Sequence, residues 1–200
     1  MNLMDYFQII TLIIFLLIFS GRSLQLARKG TPVFHLGSGK KGLSALLERS
    51  FLIFFPLWLL EIAIHSLHLN LQFLPEALVN PLFKNHVLGL AGAALILTSL
   101  LVFSLALIFF KSSWRVGIDT VSPGGLITTG VFSVSRNPIF LSMNLFFLGT
   151  FFIFSNVFFL LSFVGMAFGF HVQIRQEEAF LSKEYGAGYC EYMTQVRRYI

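Results

Sequence analysis

The sequence predicts an all-α integral membrane protein with five transmembrane helices. The last two form a short helical hairpin, followed by a helical C-terminal part on the cytoplasmic side. Three observations predict this: composition, the lengths of the apolar runs, and the placement of basic residues. Of 200 residues, 56% are hydrophobic and 12% charged, and the 25 Phe outnumber the 14 Lys and Arg and 9 Asp and Glu combined. Mean hydropathy is +0.81, whereas soluble domains carry about 25% charged residues. So few charges cannot cover a soluble surface. A water-soluble enzyme, a disordered chain and a disulfide scaffold are excluded. The single cysteine, Cys190, can form neither an internal disulfide nor a multi-cysteine metal site.

The first apolar run is Met4 to Gly21. Asp5 precedes its core, and Arg22, Arg28 and Lys29 follow it, the reverse of a cleavable signal peptide. A retained helix with its N-terminus outside is expected. The second run, Phe51 to about His68, is interrupted by Pro56 and Glu61. The third, Val87 to Phe110, has 24 residues, which rise about 36 Å, enough for a hydrocarbon core about 30 Å thick. Ile139 to Phe170 is then nearly all apolar over 32 residues, broken at Ser155-Asn156. Two full crossings want about 40 residues, so a short hairpin is predicted, with the depth of its tip left open.

Charge placement tests this order. Arg22, Arg28, Lys29, Lys40, Lys41 and Arg49 fall between the first two runs. Lys111, Arg115 and Arg136 follow the third, and Arg175, Lys183, Arg197 and Arg198 follow the hairpin. Only Lys84 falls on the other side. The positive-inside rule then puts the N-terminus outside and the C-terminus in the cytoplasm, in a bacterial inner membrane or the endoplasmic reticulum. The basic excess of +5 is read as loop topology and contact with anionic lipids, with no nucleic-acid partner. Residues 1–110 are expected to form an N-terminal three-helix region, and 111–200 the functional core.

Several candidates for chemistry have plainer readings. Glu61 lies inside the second span, where an ionisable group costs about 2.5–3.5 kcal/mol. It serves either as a paired glutamate joining helices, with His65 and His68 at the interface, or in a substrate path or proton relay. His65, His68 and His86 lack the partners of a metal set, so no metal is expected. Gly37-Ser38-Gly39-Lys40-Lys41-Gly42 is not a phosphate loop: Phe34 stands where the first glycine belongs, and no Ser or Thr follows the lysine. Phe146-Phe147 and Phe151-Phe152 are expected to supply lipid-facing and packing surface, a minority of such residues lining a greasy cavity.

The most informative feature is a pair of segments flanking the hairpin. One reads Gly124-Gly125-Leu126-Ile127-Thr128-Thr129-Gly130-Val131-Phe132, then Ser135-Arg136-Asn137-Pro138-Ile139-Phe140. The other reads Arg175-Gln176-Glu177-Glu178-Ala179-Phe180-Leu181, then Tyr185-Gly186, Tyr189, Tyr192 and Val196-Arg197-Arg198. Pro138 suits the first turn of a helix, whose free N–H groups suit a carboxylate or phosphate. Two consecutive carboxylates near the membrane can accept hydrogen bonds or attract a cation. A short hairpin brings its ends together, so both segments should build one pocket at the membrane boundary. The second segment should run as a helix through Glu184, break at Gly186 and Gly188, and resume as a short amphipathic helix.

In that order and spacing the segments resemble the isoprenylcysteine carboxyl methyltransferase family, to which phospholipid N-methyltransferases are similar. The resemblance covers roughly Trp114 to Ile200 and implies that the C-terminal helical site is a cofactor site for S-adenosylmethionine. It implies that Gly124, Gly125, Leu126, Ile127, Phe132, Arg136, Asn137, Pro138, Ile139 and Phe140 surround that cofactor. Arg175, Glu177 and Glu178 are the implied catalytic residues. Asn137 replaces the family's histidine, and Phe132 and Phe140 replace tyrosines, losing hydroxyl contacts. Arg175 is the nearest arginine before the glutamates, at a spacing that does not match firmly. The implied reaction is methyl transfer to a lipophilic acceptor among membrane lipids, an isoprenylcysteine carboxylate first, a lipid amine or thiol second. A nicotinamide-dependent (NADPH) membrane lipid reductase, and a transporter or scaffold built around Glu61, are the alternatives.

Overall fold

The computed structural model describes residues 2–29, 43–110 and 125–200. Gly124, the 37–42 glycine segment and the loop cations Lys40, Lys41, Lys111 and Arg115 lie outside the described residues. The described chain forms α1 (Leu3–Arg28), α2 (Leu43–Leu67), a single turn α3 (Glu76–Val79), α4 (His86–Phe110), a 3-10 turn (Gly130–Ser133), α5 (Pro138–Phe154), α6 (Val157–Tyr185) and α7 (Ala187–Gln195). It contains no named strand.

Four helices, in α1, α2, α4 and α6, are long and apolar enough to cross a membrane. The fifth apolar helix, α5, has 17 residues, about 25 Å of rise. Two helices outrun the apolar runs that announce them. α1 continues past Gly21 to Arg28, and α2 begins at Leu43, because the flanking residues are good helix formers. Large apolar side chains such as Leu17, Ile53, Leu101, Ile108, Leu161 and Phe168 remain exposed around the bundle, the perimeter a lipid-embedded protein presents.

α4 and α5 make the tightest pair. A methyl group added at Gly92 would lie 2.6 Å from the Gly149 carbonyl oxygen, and one added at Gly149 would lie 2.6 Å from Ile96 Cγ1. Small residues let the two backbones meet, as they do between membrane helices generally. Ser99 Oγ donates across the contact to the Ser142 carbonyl at 2.7 Å. Aromatic rings fill the rest of the centre. Phe15 packs on Phe103 and Phe146, and Trp58 on Phe146 and Phe147. Phe146, Phe147 and Phe151 are therefore core, correcting the expectation of a partly lipid-facing role.

The hairpin tip reaches the end of the bundle that carries the start of α1. Ser155 adopts the left-handed conformation (φ 49°) and ends α5. Asn156 caps α6 by accepting from Phe159 N–H at 2.9 Å, and its Nδ2 donates to the Val79 carbonyl at 3.2 Å. Leu82 N–H donates to the Ser155 carbonyl at 2.7 Å. The loop joining α2 to α4 thus holds the tip. His65 packs there too, its Nε2 3.2 Å from Asn156 Nδ2 and its Nδ1 3.6 Å from Glu61. His68 pairs instead with Asp5 of α1 at 2.8 Å. Among the described residues no three of His, Cys, Asp or Glu gather closely enough to hold a metal ion.

Candidate functional site

At the opposite end the short α5 stops level with the middle of the long α6, so the last turns of α6 overhang its start. Phe170 of α6 meets Phe140 and Phe147 of α5, and two turns further on Glu178 faces the residues just ahead of Pro138. The chain then breaks at Gly186 alone (φ 52°), while Gly188 lies inside α7. Tyr189, Tyr192 and Val196 form a small core of their own with Leu126 and Leu181, and residues 196–198 return to the segment before α5.

Glu178 is the centre of this end. Its Oε1 accepts from Arg136 at 3.2 Å (Nε) and 2.8 Å (Nη2), and its Oε2 from Arg198 at 3.0 Å (Nε) and 2.7 Å (Nη2). Each arginine presents its planar fork, the arrangement that makes guanidinium–carboxylate pairs strong. The side chains of Glu178 and Arg136 are 8% and 9% exposed, that of Arg198 36%. The Glu178 carboxylate is engaged on both oxygens, not open to an incoming cation. Hydrogen bonding to Glu178 raises Arg198 above its ordinary range against the opposing effect of burial, so the pair stays ionised.

Arg136 also donates through Nη1 to the Met193 and Val196 carbonyls, both at 3.0 Å, and its backbone N–H donates to the Arg197 carbonyl at 3.0 Å. Asn137 Nδ2 donates to the Arg198 carbonyl at 3.1 Å and reaches Glu178 Oε1 at 3.5 Å. In place of the expected histidine, then, Asn137 supplies an N–H donor. Because its side chain turns to the tail, it does not cap α5, and Pro138 occupies the first position. The first-turn N–H groups of Ile139 and Phe140 receive no side-chain cap, leaving the helix start available to an anion.

The remaining expected residues divide. Gly125 is exposed, Leu126 is half-buried against the α7 cluster, and Ile127 is half-buried. Phe132 is buried edge-on against Phe110 of α4, and its carbonyl accepts from the Tyr192 hydroxyl. It supports the site from below. Gly130 before it takes φ 66°, and the Phe109 ring fills the space a side chain would need. Glu177 accepts from Gln173 Nε2 at 3.2 Å. Arg175 is exposed on α6, three residues before Glu178, and is not among the arginines that clamp it. Burial pushes the Tyr192 hydroxyl up to about 12, with Arg136 opposing, and also raises Tyr189. Both phenols are neutral donors at physiological pH.

Sequence reasoning missed Arg198 as the second guanidinium and Tyr192 as the donor under Phe132. The tyrosine and arginine spacing of the tail was visible, but nothing in it says which carboxylate or carbonyl each residue meets. Tyr199 was likewise missed: its hydroxyl lies 2.9 Å from His171 Nδ1.

A family model described as phospholipid methyltransferase matches residues 111–188. No curated protein matches the chain. The matched segment contains the 3-10 turn, α5, α6 and Glu178. With the apolar helices it supports a place in the broader group of membrane methyltransferases acting on lipid-type substrates, within a multi-pass membrane protein.

Proposed function

We propose that the protein is an S-adenosylmethionine-dependent methyltransferase whose cofactor binds where α5 begins, on the cytoplasmic side of five crossings. The observation that carries this reading is the union of the Arg136-Asn137-Pro138 entry and the Glu178 exit of one hairpin in a single clamp. Residues 111–200 are the core in this reading and 1–110 its membrane support. The site residues suit the cofactor. The uncapped start of α5 suits its amino-acid carboxylate, and two guanidinium groups against one carboxylate leave positive charge in surplus. Gly125, with open space where a side chain would stand, offers a backbone that a ligand can approach closely.

When bound, S-adenosylmethionine supplies a methyl group already activated on sulfur. What the chain must add is alignment and exclusion of water. Glu178 holds the walls together through Arg136 and Arg198. Asn137 fixes the tail over the helix start, and Phe140 with Phe170 closes the membrane side. Our first acceptor is an isoprenylcysteine-type carboxylate, held by the fork of exposed Arg175. A second reading, a phospholipid amine drawn to Glu177, is favoured by the matched family. Mass spectrometry of lipid extracts and N-acetyl-S-farnesylcysteine, incubated with methyl-labelled S-adenosylmethionine, tests both. Label in a lipophilic product is expected. No labelled lipophilic product, from protein that stays folded, overturns the proposal.

A further inference from the structure

Trp58 of α2 packs on Phe146 and Phe147 of α5, and Phe15 of α1 packs on the same Phe146. α2 and α5 both run toward the hairpin tip, so one turn further along each sets Glu61 level with Thr150. Gln8 of α1 joins this layer, its Nε2 donating to Thr150 Oγ1 at 3.1 Å. Gln8 and Thr150 are 0% exposed and Glu61 2%. Asp5 and Gln8 share a face of α1, and Glu61 and His68 a face of α2; the Asp5–His68 pair at 2.8 Å shows that these faces meet. Thr150 Oγ1 gives its own hydrogen to the Phe146 carbonyl. That fixes the Gln8 amide, with its nitrogen toward Thr150 and its oxygen turned away. Among the described residues Gln8 Oε1 has no donor, and Trp58 Nε1, one turn before Glu61, has no acceptor.

The Glu61 carboxylate has one candidate partner among the described residues, His65 Nδ1 at 3.6 Å. That ring is uncharged. Asn156 Oδ1 accepts from Phe159 N–H, so the group 3.2 Å from His65 Nε2 is the Asn156 amide nitrogen, and Nε2 accepts from it. The one ring hydrogen is on Nδ1, which donates to the Glu61 backbone carbonyl at 2.9 Å. Of the other titratable groups at this end, Asp5 and His68 satisfy each other, and Glu76, Lys84 and His86 are exposed. α5 and residues 157–170 of α6 carry no charged side chain. A bare carboxylate inside a membrane bundle is costly, and so is a buried amide oxygen without a donor. One cation between the two removes both deficits.

We propose that the Glu61 carboxylate and Gln8 Oε1 together hold one monovalent cation, a proton or a sodium ion, in the half of the bundle that carries the hairpin tip. A proton makes Glu61 a neutral acid whose O–H donates to Gln8 Oε1. A sodium ion takes both groups as oxygen ligands, the kind that hard cations prefer. The site lies apart from the cofactor end and does not depend on the methyltransferase reading.

The test uses the full chain in nanodiscs, with sodium chloride against choline chloride at equal ionic strength. If sodium is the occupant, it raises the thermal midpoint by roughly 5–10 °C at a hundredfold excess over its Kd. The rise is then absent in Glu61→Gln and needs at least about tenfold more sodium in Gln8→Leu. If a proton is the occupant, sodium has no effect, and sodium-free protein at neutral pH shows the infrared carbonyl band of a protonated carboxyl. That band is missing in Glu61→Gln and changes frequency in Gln8→Leu, where its acceptor is gone. Should Glu61→Gln fail to fold, wild type and Gln8→Leu alone still give both readings. An ionised Glu61 with no sodium effect overturns the proposal. So does a sodium shift that survives Glu61→Gln, or a band or shift indifferent to Gln8→Leu.

Discussion

Arg136 and Arg198 grip opposite oxygens of the Glu178 carboxylate, one from ahead of α5 and one from the tail after α7. A single carboxylate thereby joins three separate stretches of chain. Removing one partner of a buried pair leaves the other charge uncompensated. Arg136→Ala should cost roughly 3–5 kcal/mol, since that side chain also holds the Met193 and Val196 carbonyls. Arg198→Ala, at a more exposed position, should cost about 1 kcal/mol. Thermal unfolding in detergent ranks the two, and equal losses would contradict the clamp.

The α4–α5 contact predicts a contrast between two glycines of one helix. Gly92→Ala meets the Gly149 carbonyl and should destabilise by about 1–3 kcal/mol. At Gly89 nothing lies within 4 Å of an added methyl, so Gly89→Ala should stay within about 0.5 kcal/mol of wild type. Denaturation of both variants side by side checks this.

Much of the architecture could be read from hydropathy, because a membrane leaves helices few alternatives. The runs at 4–21 and 87–110, the break at Ser155-Asn156 and Pro138 as a helix start all correspond to elements of the fold. The hairpin tip could not be placed, since its depth depends on Asn156 bonding Val79, a residue 77 positions away. The motifs brought Arg136, Asn137 and Glu178 to one end, as their order suggested. Their partners were hidden for a physical reason: a hydrogen bond to the Arg198 carbonyl involves backbone, which carries no sequence signal. Phe132 shows the same gap, because aromatic character alone does not separate a wall of a site from its floor.

Asn156 does three jobs at the tip: it caps α6, bonds the Val79 carbonyl and faces His65. Asn156→Ala should destabilise by about 1–3 kcal/mol and free the 69–85 loop. Hydrogen exchange should then rise at Leu82, whose N–H is bonded to Ser155. Unchanged protection at Leu82 would argue against the tip being anchored there.

The Tyr192 hydroxyl donates to the Phe132 carbonyl, and a phenolate cannot. Its ordinary ionisation near about 10 is pushed up to about 12 in the fold. The neutral form is therefore favoured by folding. Its stabilisation is complete below about pH 10 and lost as pH rises through about 12. Tyrosinate absorbance should report this alkaline transition together with undocking of α7. Tyr192→Phe should remove the Tyr192 component while costing roughly 1 kcal/mol at neutral pH.

Calorimetric titration of the purified protein with S-adenosylhomocysteine and, separately, NADPH tests most directly whether the open end of the hairpin is a sulfonium-nucleoside site. Heat of binding is expected with S-adenosylhomocysteine, greatly weakened in Asn137→Ala, and none with NADPH. Binding of NADPH alone, or S-adenosylhomocysteine affinity indifferent to Asn137, would contradict the account.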